Sequence, residues 1–372
     1  MAQKTYRVFL LGAGFSKPAG LPLAAELLPL VQQAASRYMS TADGYNHLSK
    51  AVSTYESFLA DTDPSRPFDL EEFGAWLDWE HVLRLKGSDT FSDYGNEAAL
   101  QLRWAIGHVL HTATPDALPD TYLQFARQLN TSDIVLTLNY DLLMERALEE
   151  VGLPYRRFPD RYSEIHEAYS VIDNEQPDEL VLHKLHGSID WTYFTGRKSD
   201  NSLQLEPLIK GLRQPDDPLL RIAVIPRDQL RQYYVSRQSW HANPALIMNP
   251  STAKPMGTSP LIPLWDGLGR NGAMLGGFVV IGCSLPPGDP YVLQVAHGIG
   301  TDYGSGRGKV GALWPQARMK VVDLRVGRIA THQLRERYRF LSDEHTDFLL
   351  DGFTSESVEG IFDSEGVIQP EE

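Results

Sequence analysis

His186 is the residue best suited to acid–base work, because an unperturbed imidazole titrates near neutrality. It closes an apolar run, Val181-Leu182-His183-Lys184-Leu185, and is followed by Gly187-Ser188. A glycine at that point is expected to leave room beside the ring for a ligand; the bland alternative is a structural histidine at a strand end. His183 and His186 would project to opposite faces of a strand, so a metal shared between them is not expected. Asn139 and Asp141 end a second apolar run in Thr137-Leu138-Asn139-Tyr140-Asp141. A carboxamide is neither acid nor base near neutrality, but it can hold a sugar hydroxyl or a water in place. Asp141 serves either to orient this loop or to cap the helix that follows.

Two glycine turns complete the set. Gly12-Ala13-Gly14-Phe15-Ser16, extended by Gly20-Leu21-Pro22, follows the apolar Tyr6 to Leu11. Such a turn lets backbone approach a pyrophosphate and aims helix N–H groups at it, or it simply permits a tight corner. The third glycine of a dinucleotide fingerprint is missing, since Lys17 stands in its place. Gly282-Cys283-Ser284-Leu285 repeats the small-residue pattern, and Cys283 reads either as part of that turn or as a small buried residue. Asp323 ends a last apolar run, where an acid can take two ribose hydroxyls or merely sit on the surface.

The elements that must position these residues are short apolar strands alternating with helices. Strands are expected over Tyr6–Leu11, Asp133–Leu138, Val181–Leu185, Gly277–Ile281 and Met319–Asp323, the last in the chain. Helices are expected over Pro22–Tyr38 and Leu142–Val151, with a mostly helical insertion at about 40–130 and a less regular one at about 195–250. This predicts an α/β, Rossmann-like parallel sheet with helices on both faces. All five strands end in a small or polar cluster, so one rim should gather the clusters where such sheets bind ligands.

The chain has 372 residues and a formal net charge of −14, with ten acids and no Lys or Arg after residue 342. That balance disfavours binding to nucleic acid through phosphate neutralisation. Arg325, Arg328, Arg335, Arg337 and Arg339 read as a solvated helix face. Phe348, Leu349, Leu350, Phe353, Ile361 and Phe362 lie among the C-terminal acids, so part of that segment is expected to dock. No apolar run approaches the roughly 20 residues of a membrane span. The opening residues do not read as a signal peptide, and a cytoplasmic location is expected. One cysteine, Cys283, cannot build a disulfide framework or a cysteine-ligated zinc site within the chain.

Taken in order, the clusters resemble sirtuin motifs. Gly12-Ala13-Gly14-Phe15-Ser16 with Gly20-Leu21-Pro22 is similar to the GAG-x-S turn and its following G-I/L-P. Thr137-Leu138-Asn139-Tyr140-Asp141 is similar to T-x-N-x-D, His186-Gly187 to the catalytic pair, and Gly282-Cys283-Ser284-Leu285 to G-T/C-S-L. Asp323 falls where that family binds the adenosine ribose. The absent zinc ribbon, and Leu23-Ala24-Ala25 in place of Phe-Arg after the proline, depart from the protein deacylases. The helical insertion and Lys184–Trp191 look instead like the bacterial NAD-hydrolysing branch associated with defence against phage.

The resemblance implies a sirtuin-like NAD-binding domain over residues 1–342 and an acidic C-terminal segment over 343–372. It implies NAD as substrate, no metal, and nicotinamide and ADP-ribose as products. Asn139, His186 and Asp141 would be catalytic; Gly12, Ala13, Gly14, Phe15, Ser16, Leu21, Pro22, Gly282, Cys283, Ser284 and Asp323 would bind the dinucleotide. It further implies a homo-oligomer regulated by a separately encoded partner such as a HerA-type ATPase or a short Argonaute. An ADP-ribosyltransferase or deacylase, or a non-catalytic sensor of NAD or ADP-ribose, are the alternatives.

Overall fold

The computed structural model describes residues 6–38, 46–85, 96–158, 162–165, 170–172, 178–193, 222–236, 245–248, 250–251, 261, 264–265, 267–269, 275–285, 289–305, 318–325, 327–341 and 345–363. Residues 1–5, much of the 195–250 stretch and residues 364–372 lie outside them. Seven strands form one sheet: β1 (Tyr6–Leu11), β2 (Ile134–Thr137), β3 (Tyr155–Arg157), β6 (Leu180–Lys184), β10 (Leu275–Ile281), β11 (Met319–Val322) and β12 (Thr346–Leu349). Their order is β12-β11-β10-β1-β2-β6-β3, and every pairing is parallel. The five expected strands are consecutive in this order, so their polar ends share one edge.

Strands buried on both faces must be apolar at every position, and β1 shows why Val8-Phe9-Leu10-Leu11 is continuous. Phe9 and Leu11 enter one core with the helices of the insertion. Val8 and Leu10 enter a second core on the opposite face. The first face carries α2 (Ala24–Tyr38), α3 (His47–Thr62), α4 (Leu70–Val82), α5 (Glu97–Ala113), α6 (Asp120–Gln128) and α7 (Leu143–Val151). The second is covered by α8 (Pro290–Ser305) and α9 (Arg328–Arg337). A one-turn helix, α1 (Ala13–Ser16), follows β1 directly.

The sequence predicts Met319–Asp323 as the last strand, but the sheet continues beyond it. Thr346–Leu349 adds an outer parallel strand, and α10 (Ser355–Phe362) returns to the core. This edge strand carries Asp347, which bonds Arg318 at 2.7 Å and Lys320 at 2.6 Å. An edge strand with one polar side lacks the unbroken apolar run of its neighbours. Smaller antiparallel sheets join β4 (Tyr162–Ile165) to β5 (Ser170–Ile172), and β7 (Gly187–Tyr193) to β8 (Ile222–Val224) and β9 (Ala245–Ile247). No helix among the described residues is long and apolar enough to cross a membrane.

Candidate active site

A cavity of about 520 Å³ opens at the carboxyl edge of the sheet. Its walls include Gly12, Ala13 and Ser16 after β1, Asn139 and Asp141 after β2, His186 after β6, and Gly282, Cys283 and Ser284 after β10. Leu21, Pro22 and the start of α2 supply an apolar side, and Phe68 to Glu71 bring in the first turn of α4. The volume lies within the range of small-molecule pockets.

Asn139 is held by both of its amide protons. Nδ2 donates to the Gly12 carbonyl and to Ser16 Oγ, each at 2.9 Å. Ser16 Oγ in turn donates to Asp141 Oδ2 at 2.6 Å, and Asp141 Oδ1 accepts from the Leu143 amide at 3.0 Å. The carboxamide therefore turns Oδ1 into its working atom, an acceptor for a hydroxyl or a water. Asp141 both ties the loop to α1 and accepts from the first amide of α7, whose N-cap is Leu142. Burial pushes its carboxyl up, opposed by Lys184 and by the Ser16 and Leu143 hydrogen bonds.

The glycines meet backbone of the protein itself at close range. A Cβ on Gly12 would lie 2.6 Å from the Gly282 carbonyl oxygen, and one on Gly14 would lie 2.6 Å from Gly282 Cα. Gly282 itself has φ +61°, and its Cβ would meet the Phe15 nitrogen at 2.3 Å. The two turns thus pack backbone against backbone, locked by Gly12 N–H to Ile281 and Gly14 N–H to Gly282, both at 2.9 Å. Gly187 likewise lies against backbone. At φ +87° its Cβ would strike the Leu246 carbonyl at 2.2 Å, so its missing side chain admits β9.

Phe15, Gly14 and Asp323 do not line the cavity. Phe15 points its ring into the core, 4.6 Å from that of Phe353. Asp323 sits on the same edge, at the end of β11, where it bonds Arg325 at 3.2 Å. Burial raises its carboxyl, with Arg325 opposing. Cys283 is buried and its thiol is pushed up to about 12 by that burial, so it is no nucleophile near neutrality. At about pH 8, iodoacetamide is expected to leave the native protein unlabelled while labelling the urea-unfolded chain completely. Stoichiometric native labelling, read by mass spectrometry, would show the thiol open to the cavity.

The His186 ring lies among Trp265, Tyr140 and Tyr291, with centroids 5.9, 6.5 and 5.9 Å away. Its Nε2 is 3.0 Å from Tyr291 Oη, and Tyr291 Oη is 3.1 Å from Asp289 Oδ1. Neither Asp289 nor Tyr291 was found by reading the sequence. The available signal was Asp289-Pro290, an acid immediately before a proline at a helix start, just past the Gly282 turn. His183, by contrast, is half-buried within β6, and desolvation followed by the charge of Arg156 pushes its imidazole down to about 4.

Beneath the site lies a buried ionic cluster, also missed. Lys184 bonds the Asp141 carbonyl and approaches Glu145 at 3.1 Å. Arg157 links Glu145, at 3.2 Å, to Asp190, at 2.8 Å. Burial opposes the charge on Glu145, but Lys184 and Arg157 overcome it and hold the carboxyl below its ordinary value.

The fold and site together define an α/β protein with polar chemistry gathered at the carboxyl ends of a parallel sheet. Residues 133–250 match the family model described as a SIR2-like domain, a span that contains Asn139, Asp141 and His186. Among solved structures, the chain is similar to a Sir2 homologue mutant in complex with ADP-ribose, at 15% identity over 96% of this chain and 90% of that one, with a TM-score of 0.34. It is similar also to a Sir2 homologue–NAD complex, at 16% identity over 96% and 87%, with a TM-score of 0.31. No protein of curated function matches it.

Proposed function

We propose that this chain hydrolyses NAD to nicotinamide and ADP-ribose. The observation that carries the reading is the convergence of Asn139, Asp141 and His186 on one cavity at the sheet edge, inside the SIR2-like span. The C–N bond to nicotinamide breaks with the electron pair leaving on the nitrogen, so the ribose carbon gains oxocarbenium character. A water adds to that carbon and must lose one proton. Asn139 Oδ1 holds the ribose or the water, and His186 takes the proton, either from the water or through a ribose hydroxyl. Asp141 fixes Ser16 and the loop rather than touching the reacting atoms. Gly12, Ala13 and Ser16 with Leu21 and Pro22 seat the dinucleotide, while Gly282 and Ser284 mark the adenosine side, with Asp323 beyond them on the same edge. NAD incubated with the protein should yield free nicotinamide and ADP-ribose in equal amounts by chromatography, and Asn139→Ala should lose both. ADP-ribose found attached to protein would replace hydrolysis by transfer; tight NAD binding with no nicotinamide release would make the chain a sensor.

The same reading places the protein in the cytoplasm as a defence effector acting as a homo-oligomer, set by a separately encoded partner such as a HerA-type ATPase or a short Argonaute. An assembly surface is supported by Trp79 and Leu83, exposed one turn apart on the insertion side of the molecule.

A further inference from the structure

A tyrosine hydroxyl has one proton to give, and Tyr291 Oη stands within reach of two groups, His186 Nε2 at 3.0 Å and Asp289 Oδ1 at 3.1 Å. An ionised carboxylate can only accept. If Tyr291 gave its proton to the imidazole, its lone pairs would face the carboxylate oxygens with no proton between them. Both contacts are hydrogen bonds only when the proton of Tyr291 lies toward Asp289 and the imidazole donates from Nε2. Burial and then the charge of Asp289 push the Tyr291 phenol up, so it keeps its proton through the neutral range.

We propose that Tyr291 and Asp289 are positioning residues that hold the His186 ring as the Nε2–H tautomer, so that a proton taken by the neutral ring goes to Nδ1. Asp289 then stabilises the imidazolium through the intervening phenol, the arrangement by which a buried acid supports a catalytic histidine elsewhere. The use made of this tautomer rests on the hydrolytic reading of His186; the tautomer itself rests on the two contacts. The segment is built to keep them. Asp289 directly precedes Pro290, and its carbonyl accepts from the Val292 and Leu293 amides, which fixes the start of α8 against the site. Trp265, whose indole N–H donates to the Leu185 carbonyl at 3.0 Å, packs on the rings of both His186 and Tyr291.

The other charged groups facing the pair come from several elements. Glu71 on α4 and Asp141 after β2 line the same cavity, and the charge of Glu71 also reaches Tyr140 and Tyr291. Arg103 on α5 acts on Tyr140 in the opposite sense. Of these charges, that of Asp289 is linked to the imidazole through the Tyr291 hydroxyl, and removing it should disfavour the imidazolium.

The test is nuclear magnetic resonance of ring-labelled histidine in the full chain, with the His186 signals assigned by their loss in His186→Gln. In the wild type the neutral ring should show the nitrogen shifts of the Nε2–H tautomer. Asp289→Asn keeps an acceptor for Tyr291 but removes the charge, so the tautomer should persist while the titration midpoint falls by about one pH unit. Tyr291→Phe removes both, so the midpoint should fall and the Nδ1–H tautomer should become populated. A wild-type ring protonated on Nδ1, or unchanged tautomer and midpoint in both variants, would overturn the proposal. Because none of these readings needs turnover, a protein that failed to cleave NAD would still answer the question.

Discussion

His186→Ala is expected to lower kcat for NAD hydrolysis by about 10²–10⁴-fold, the usual contribution of a positioned acid–base group, with NAD affinity changed only a few-fold. The ring stands at the end of β6, on the wall shared with Asn139, and among aromatic neighbours rather than in bulk solvent. Its loss removes the proton acceptor without touching the glycine turns or the apolar wall of α2 that seat the dinucleotide. It also leaves a gap beside Trp265 and Tyr291, so His186→Gln serves as the bulk-preserving companion. Calorimetric titration with NAD and single-turnover release of nicotinamide separate binding from chemistry. Full hydrolysis by both variants would remove His186 from the mechanism.

What the sequence makes legible follows from where a strand sits. Val8 to Leu11, Val135 to Thr137 and Phe278 to Ile281 are covered on both faces, so their residue types alone announce buried parallel strands. Thr346–Leu349 and Tyr155–Arg157 lie at the sheet edges and mix charges with apolar residues, which removes that signal. The site divides in the same way. Asn139, Asp141 and His186 are visible because polar residues interrupt apolar runs at strand ends. Glu71, Tyr291 and Lys184 are not, since what they do depends on neighbours distant in sequence. The glycines carry the sharper lesson: Gly12, Gly14, Gly187 and Gly282 all mark close backbone approach, but the approaching backbone is the protein's own. Composition alone cannot say which.

Lys184→Met should destabilise the fold by about 3–5 kcal/mol, the range for leaving one partner of a buried ion pair uncompensated. Lys184 is fully buried, and so is Glu145. With the ammonium gone, the cation left on Glu145 is Arg157, at 3.2 Å and shared with Asp190, and the Asp141 carbonyl loses the Lys184 donor. The pH dependence should identify the cause. In the wild type the folded-state carboxyl of Glu145 is depressed, so its contribution is present above the unfolded value near 4.5 and is lost as pH falls through the lower folded value. In the variant, burial dominates and the folded value rises, so its ionisation in the fold becomes a cost that grows as pH increases. The gap between wild type and variant, measured from guanidinium denaturation curves, should therefore widen from about pH 5 to pH 7.5. Lys184→Arg keeps the charge and should recover part of the loss. Because Lys184 also holds the Asp141 carbonyl, the Met variant should lose hydrolytic activity even where it remains folded, as the loop bearing Asn139 loosens. A loss below about 1 kcal/mol, or a gap that narrows with rising pH, would mean that Arg157 alone neutralises Glu145 and that the lysine is there for the loop.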